Sequence, residues 1–150
     1  MKASELRIGN WVYDDEAIVS KVIGIMPFEH SIRCDEEEGC LIGVDLYLND
    51  GEIRKGFECD SNFIKPIPVT EEWLLKFDIL KSDHIIKFPR RENGMPKLFG
   101  RWITKTGLID LKELETPFLR IDATHTDIYY VHQLQNYYHS VTGEELEIKA

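Results

Sequence analysis

The hydrophobic pattern of the chain changes period three times. Residues 6–13 and 17–26 read as two strands joined by an Asp14-Asp15-Glu16 turn. Leu6, Ile8 and Val12 share a face of the first strand; the second is rich in Val and Ile (Val19, Val22, Ile23, Ile25) and stops at Pro27. Residues 41–48 alternate most regularly, with Ile42, Val44, Leu46 and Leu48 on one face and Gly43, Asp45 and Tyr47 on the other. Asn49-Asp50-Gly51 comes next as a hairpin turn, and Ile53 and Phe57 continue the apolar face on the return strand. Several short strands in the first 66 residues predict a small SH3-like β-barrel.

Lys65-Pro66-Ile67-Pro68-Val69-Thr70 marks a boundary, because prolines at alternate positions hold the chain extended. The predicted organisation is an N-terminal barrel subdomain over 1–66 and an α+β subdomain over 67–150. Thr70 can cap a helix over residues 71–80, with Glu71 and Glu72 at the positive end of its dipole. Trp73, Leu74, Phe77 and Leu80 form its apolar face. Residues 84–88, 98–104, 107–111 and 117–122 read as strands, with turns at Asn93-Gly94 and Thr106-Gly107. Last comes a helix capped by Thr126 or Asp127 and stopped by Gly143. The fold class expected is α+β: the barrel, a helix, an antiparallel sheet, and a C-terminal helix packed on that sheet.

On a helical wheel Tyr130, Val131, Leu134, Tyr137, Tyr138 and Val141 fall within an arc of about 120°. The opposite face carries His132, Gln133, Gln135, Asn136, His139 and Ser140. None is formally charged at neutral pH, whereas a solvated face normally includes Lys and Glu. Such a face is expected to be partly covered, by the chain itself or by a partner. His132, Gln135, Asn136 and His139 are therefore the candidate interaction residues.

Charge changes the picture in one place. The 150-residue chain carries a formal net charge of -9, and residues 1–75, with 16 acids and 7 bases, hold all of that excess. The clusters Asp14-Asp15-Glu16 and Asp35-Glu36-Glu37-Glu38 read as solvated loop tips. Against this trend, residues 81–105 contain seven bases and two acids, with Phe88, Phe99 and Trp102 interleaved. Basic residues beside aromatics can track a nucleic-acid backbone and stack bases. Arg90, Arg91, Lys97, Arg101 and Trp102 are the contacts in that alternative, which the overall negative field opposes.

Other chemistry finds little support. Cys34, Cys40 and Cys59 with His30 lack the tight spacing of a zinc knuckle, so reduced thiols and no metal are expected. A Cys34–Cys40 disulfide is geometrically possible, but an odd count in a cytoplasmic chain argues against a disulfide framework. His125 and Asp127 supply an H-x-D step of the kind found in iron sites, the basis of a further alternative, a small metal-dependent enzyme. Helix capping beside a surface His125 accounts for the same residues. No nucleophile elbow, Walker loop or dinucleotide fingerprint occurs, so no catalytic residue and no cofactor are assigned. No run approaches the ~18 apolar residues of a membrane span, and the first residues lack a signal-peptide core; a cytoplasmic protein without membrane contact is expected.

Three blocks carry a resemblance. They are Glu5-Leu6-Arg7-Ile8-Gly9-Asn10, then Pro66-Ile67-Pro68 with Thr70-Glu71-Glu72-Trp73-Leu74-Leu75-Lys76-Phe77, and finally Val131-His132-Gln133-Leu134-Gln135-Asn136 with Thr142-Gly143-Glu144-Glu145-Leu146 after it. In order and spacing the chain resembles a family of uncharacterised short proteins carried by prophages and mobile elements of gut-type anaerobic bacteria. It departs from them at His139-Ser140, where such proteins are more apolar and aromatic. The resemblance implies a bacterial or phage-encoded cytoplasmic protein and transfers no catalytic residue. The function expected is that of a non-enzymatic accessory protein whose partner is another protein.

Overall fold

The computed structural model describes residues 1–26, 40–48, 51–80, 84–88, 99–106, 112–122 and 124–149. The chain divides into two compact units, Met1–Ile67 and Pro68–Ala150. Both are built on antiparallel sheet, so the class is α+β.

The first unit holds β1 (Trp11–Tyr13), β2 (Val19–Met26), β3 (Leu41–Tyr47), β4 (Ile53–Asp60) and β5 (Lys65–Pro66) in the order β4-β3-β2-β1-β5. The alternation along 41–48 places Ile42, Val44 and Leu46 inward, where they pack with Leu6, Val12, Val22, Cys40, Cys59 and Ile64. The sheet is open, in contrast to the closed barrel expected from the strand pattern. Closure needs ladder hydrogen bonds from both end strands. β5 has two residues, and one of them, Pro66, has no N–H to donate.

The β1–β2 connection also differs from the expected solvated acidic tip. Asp14 is buried, and its Oδ1 accepts hydrogen bonds from the Glu16 and Ile18 amides at 3.0 and 2.7 Å. Its carboxylate therefore builds the turn; Asp15 and Glu16 remain exposed. The Asp35–Glu38 cluster lies outside the described residues.

The second unit opens with α1 (Glu71–Lys76), where the Trp73 amide donates to Thr70 Oγ1 at 3.4 Å, as capping by Thr70 predicts. The helix is shorter than expected because Asp78 turns the backbone to φ 54°. Ile79 and Leu80 then run beside β6 (Ile85–Lys87): the Lys87 amide donates to Ile79 O at 2.8 Å, and Leu80 bridges to Ile86. Leu80 is thus not part of the helical stripe. β6 heads a four-stranded sheet with β7 (Phe99–Thr106), β8 (Lys112–Ile121) and β9 (Thr126–Ile128), in that order.

The predicted strand over 107–111 and the Asn93-Gly94 turn lie outside the described residues. Thr126 and Asp127, expected as helix caps, instead belong to β9, paired with Ile121 and Arg120. The C-terminal helix α2 (Val131–Thr142) starts after Tyr130 and ends on Gly143 at φ 71°, the left-handed stop its sequence predicts.

One face of this sheet is apolar and closely approached. Ile86, Trp102, Leu119, Ile121 and Ile128 are buried on it. Gly100 lies between Ile86 and Ile121 in register, and a Cβ there would stand 2.8 Å from the Arg120 carbonyl oxygen and 3.1 Å from Leu119 Cδ1. That carbonyl belongs to the β7–β8 pair and cannot swing away as a side chain would. Gly100→Ala should therefore destabilise the chain by roughly 1–3 kcal/mol, measured as a fall in the urea midpoint. An unchanged midpoint would show that the two strands separate freely there.

Candidate interaction surface

α2 was expected to bury its aromatic stripe and to have its uncharged face partly covered, by the chain itself or by a partner. The burial observed is rotated. Val131, Leu134 and Tyr138 are buried as predicted, but so are His132 (3% exposed), Gln135 (1%) and Thr142 (8%). Tyr130, Tyr137 and Val141 are only half-buried. At 100° per residue the buried arc is displaced by about 75° toward the amide side. The tyrosines sit at the border, where a ring can be covered while its hydroxyl stays wet; the Tyr137 hydroxyl is 3.4 Å from Thr124 Oγ1.

Two of the four candidate residues, His132 and Gln135, therefore lie inside the chain. Asn136 and His139 are half-buried, and His139 Nε2 stands 3.7 Å from Glu145 Oε1. Gln133 is exposed but occupied, since its Oε1 accepts from the Tyr129 and Tyr130 amides at 3.1 and 3.3 Å and closes the start of the helix. Burial of His132 and Gln135 and capping by Gln133 account for the lack of charge at three of the six positions on this face. Of the four candidates, Asn136 and His139 are the two that reach the surface.

A more exposed arrangement lies on the face of the second sheet opposite its apolar one. Cross-strand register aligns Ile85, Arg101, Arg120 and Asp127 in a row over β6, β7, β8 and β9. Arg120 Nε and Nη2 donate to the two carboxylate oxygens of Asp127 at 2.7 and 2.8 Å. Arg101 Nε donates to Asp122 Oδ1 at 3.0 Å. The Arg120 guanidinium also lies 5.3 Å from the Phe118 ring centroid, and Phe118 packs on Tyr129 at 5.3 Å and 37°. Tyr129 and Ile85 are exposed. Chiefly by its hydrogen bonds, Arg120 holds the Asp127 carboxyl below the usual carboxylate range, and Asp127 in turn keeps the guanidinium charged. The result is an aromatic pair and a planar ion pair locked side by side at the surface. Sequence reasoning missed it because β9 was read as a helix start, which left Arg120, Asp127 and Tyr129 on different elements.

The nucleic-acid alternative named Trp102 as its aromatic contact. Arg101 is exposed, but the next residue, Trp102, points to the other face and is buried, so it cannot stack a base. Arg90, Arg91 and Lys97 lie outside the described residues. In the H-x-D alternative, Asp127 is committed to Arg120 through both oxygens, and His125 sits on the β8–β9 turn at φ 53°. Among the described residues, no group of three His, Cys, Asp or Glu side chains is placed to hold a metal.

The cysteines differ from three reduced thiols. Cys40 is disulfide-bonded and Cys59 is free and buried; Cys34 and His30 lie outside the described residues. Burial first, then the Asp15 and Asp14 carboxylates, push the Cys59 thiol up, which makes it a poor nucleophile. Among the described residues, no helix is long and apolar enough to cross a membrane.

No family model, curated protein or solved structure matches the chain.

The rotated burial of α2 can be tested by substitution. Gln135→Lys forces a charge into a covered site and should cost on the order of 3 kcal/mol, comparable with the roughly 2–5 kcal/mol expected for Leu134→Ala. Asn136→Glu, at a half-buried position, should leave the melting temperature nearly unchanged. Thermal melts of the three single variants make the comparison, and equal behaviour of Gln135→Lys and Asn136→Glu would contradict the burial.

The Arg120–Asp127 pair should show itself in acid. A depressed carboxyl pKa stabilises the fold above the unfolded value of about 3.9, and that contribution disappears as pH falls through the lower folded value. The stability gap between the parent chain and Asp127→Asn should therefore be open at neutral pH and close below about pH 4. A gap that persists in strong acid would assign the effect to packing rather than to the charge.

Proposed function

We propose that this chain is a non-enzymatic accessory protein of a phage or mobile element, acting in the cytoplasm as a protein-interaction module without a cofactor. The observation that carries the reading is the outer face of the second sheet, where Phe118 contacts both the tilted Tyr129 ring and the Arg120 guanidinium beside the Arg120–Asp127 pair. Aromatic and arginine side chains dominate the energetics of protein interfaces, and here they are ordered before any partner arrives. The resemblance of three blocks to prophage-borne proteins supports the biological setting. Of the four α2 candidates, Asn136 and His139 remain within reach of a partner. The strand order β5-β1-β2-β3-β4, with a short last strand beside the first, supports reading the N-terminal unit as an opened SH3-like barrel.

The test is affinity capture from the native host by the full chain, with and without nuclease, identifying both proteins and nucleic acid. A specific protein should remain after nuclease treatment. Its recovery should fall at least about tenfold with Tyr129→Ala, a change equivalent to losing one interface anchor, while the melting temperature stays near that of the parent. Equal recovery by both chains, or recovery of nucleic acid alone with a steep salt dependence, would overturn the reading.

A further inference from the structure

Among the described residues, three of the four sheet edges are formed by strands of only two or three residues. β5 ends in Pro66; the outer side of β6 receives Ile79 and Leu80; β9 continues into Tyr129 and Tyr130, which meet Val69 and Pro68. The fourth edge is β4. It pairs with β3 along one side, and every residue from Ile53 to Glu58 is exposed. Ile53 and Phe57 are 47% and 45% exposed, although each sits opposite a residue of a well-covered strand, Tyr47 and Val44. A long open edge of this kind is a template for another strand.

The charges along β4 say which strand fits. Its first half carries Arg54 and Lys55, its second half Glu58 and Asp60. Edges that resist pairing carry charge of one sign, so that like charges meet in any register. Here an antiparallel copy of the same strand brings opposite signs together.

A bulge sets the register. Val44 pairs with Phe57 and Leu46 with Arg54, so Lys55 and Gly56 together face Asp45. The Gly56 amide donates to Asp45 Oδ1 at 3.1 Å, and its φ of +77° is one that glycine tolerates. The extra residue shifts the alternation: Ile53, Glu58 and Asp60 lie on one face with Tyr47, Gly43 and Leu41, while Arg54, Phe57 and Cys59 lie on the other. Residues three apart, such as Lys55 and Glu58, would point to opposite faces of a regular strand; across this bulge they share one.

We propose that the chain forms a two-fold symmetric dimer in which β4 pairs antiparallel with β4 of a second copy. In the register that matches faces on both sides of the bulge, Lys55 of each copy lies opposite Glu58 of the other, and at the centre Phe57 of each lies opposite Gly56, which has no side chain to mismatch. Nothing stands within 4 Å of the position a Gly56 Cβ would take, so the centre of the seam is unobstructed on that face. Two cross-strand ion pairs are the stabilising contacts of such a seam. A two-fold axis makes each contact occur twice. This surface is separate from the one on the second sheet and does not depend on it.

Sedimentation equilibrium of the full chain over a wide concentration range, with thermal melts as a folding control, tests the proposal. The parent chain should show a monomer–dimer equilibrium. Lys55→Glu and Glu58→Lys should each weaken it at least about tenfold, because each single change creates two like-charge pairs. The double variant carrying both changes should restore it. A parent chain that stays monomeric at hundreds of micromolar overturns the proposal without recourse to any variant. So does a dimer indifferent to both single changes, and a double variant that folds but fails to recover association overturns the register.

Discussion

Each sheet in this protein has one face that must leave water and one that need not, and the two-residue period of a strand assigns every side chain to one or the other. Val12, Val22, Ile42, Val44 and Leu46 turn inward together in the first unit. In the second, Ile86, Trp102, Leu119, Ile121 and Ile128 do the same. Everything of functional interest is a consequence on the other face or at an edge. Burying Trp102 obliges Arg101 to point outward, and burying Leu119 and Ile121 brings Arg120 to the surface beside Phe118 and Asp127.

The outer face of the second sheet is ordered by charge as well as by packing. Arg120 meets Asp127 through two nitrogens, while its guanidinium carbon lies 5.3 Å from the Phe118 ring centroid. A lysine at this position could supply the charge but not the paired geometry. Such a face presents fixed chemistry to a partner at little conformational cost. The first unit offers the contrasting device, an exposed edge strand whose positive and negative halves are complementary to its own antiparallel copy.

Glycine and the left-handed residues divide the elements. Asp78 ends α1 one turn early, His125 turns β8 into β9, Gly56 shifts the alternation in β4, and Gly143 stops α2. The same local feature acts differently in each place because the next segment of chain differs. After Asp78 the chain stays extended and closes the β6 edge; after Gly143 it leads to Leu146, which is buried, and to Lys149, whose amide returns to Lys76 O.

Local pattern was sufficient for much of the architecture. The alternation over 41–48, the proline-bounded break near residue 67, the Thr70 cap and the Gly143 stop are all short-range features, governed by side-chain period, proline geometry and hydrogen bonds within a few residues. Tertiary structure decided the rest. Whether the first sheet closes depends on whether β4 and β5, at opposite ends of its strand order, can exchange hydrogen bonds, and Pro66 in a two-residue strand prevents it. Which arc of α2 is buried depends on what covers it: the aromatic stripe is legible on a wheel, but the burial of His132 and Gln135 is not. The Phe118–Arg120–Asp127–Tyr129 arrangement exists only because β8 and β9 pair, and the short β9 has no alternation long enough to distinguish it from a helix cap.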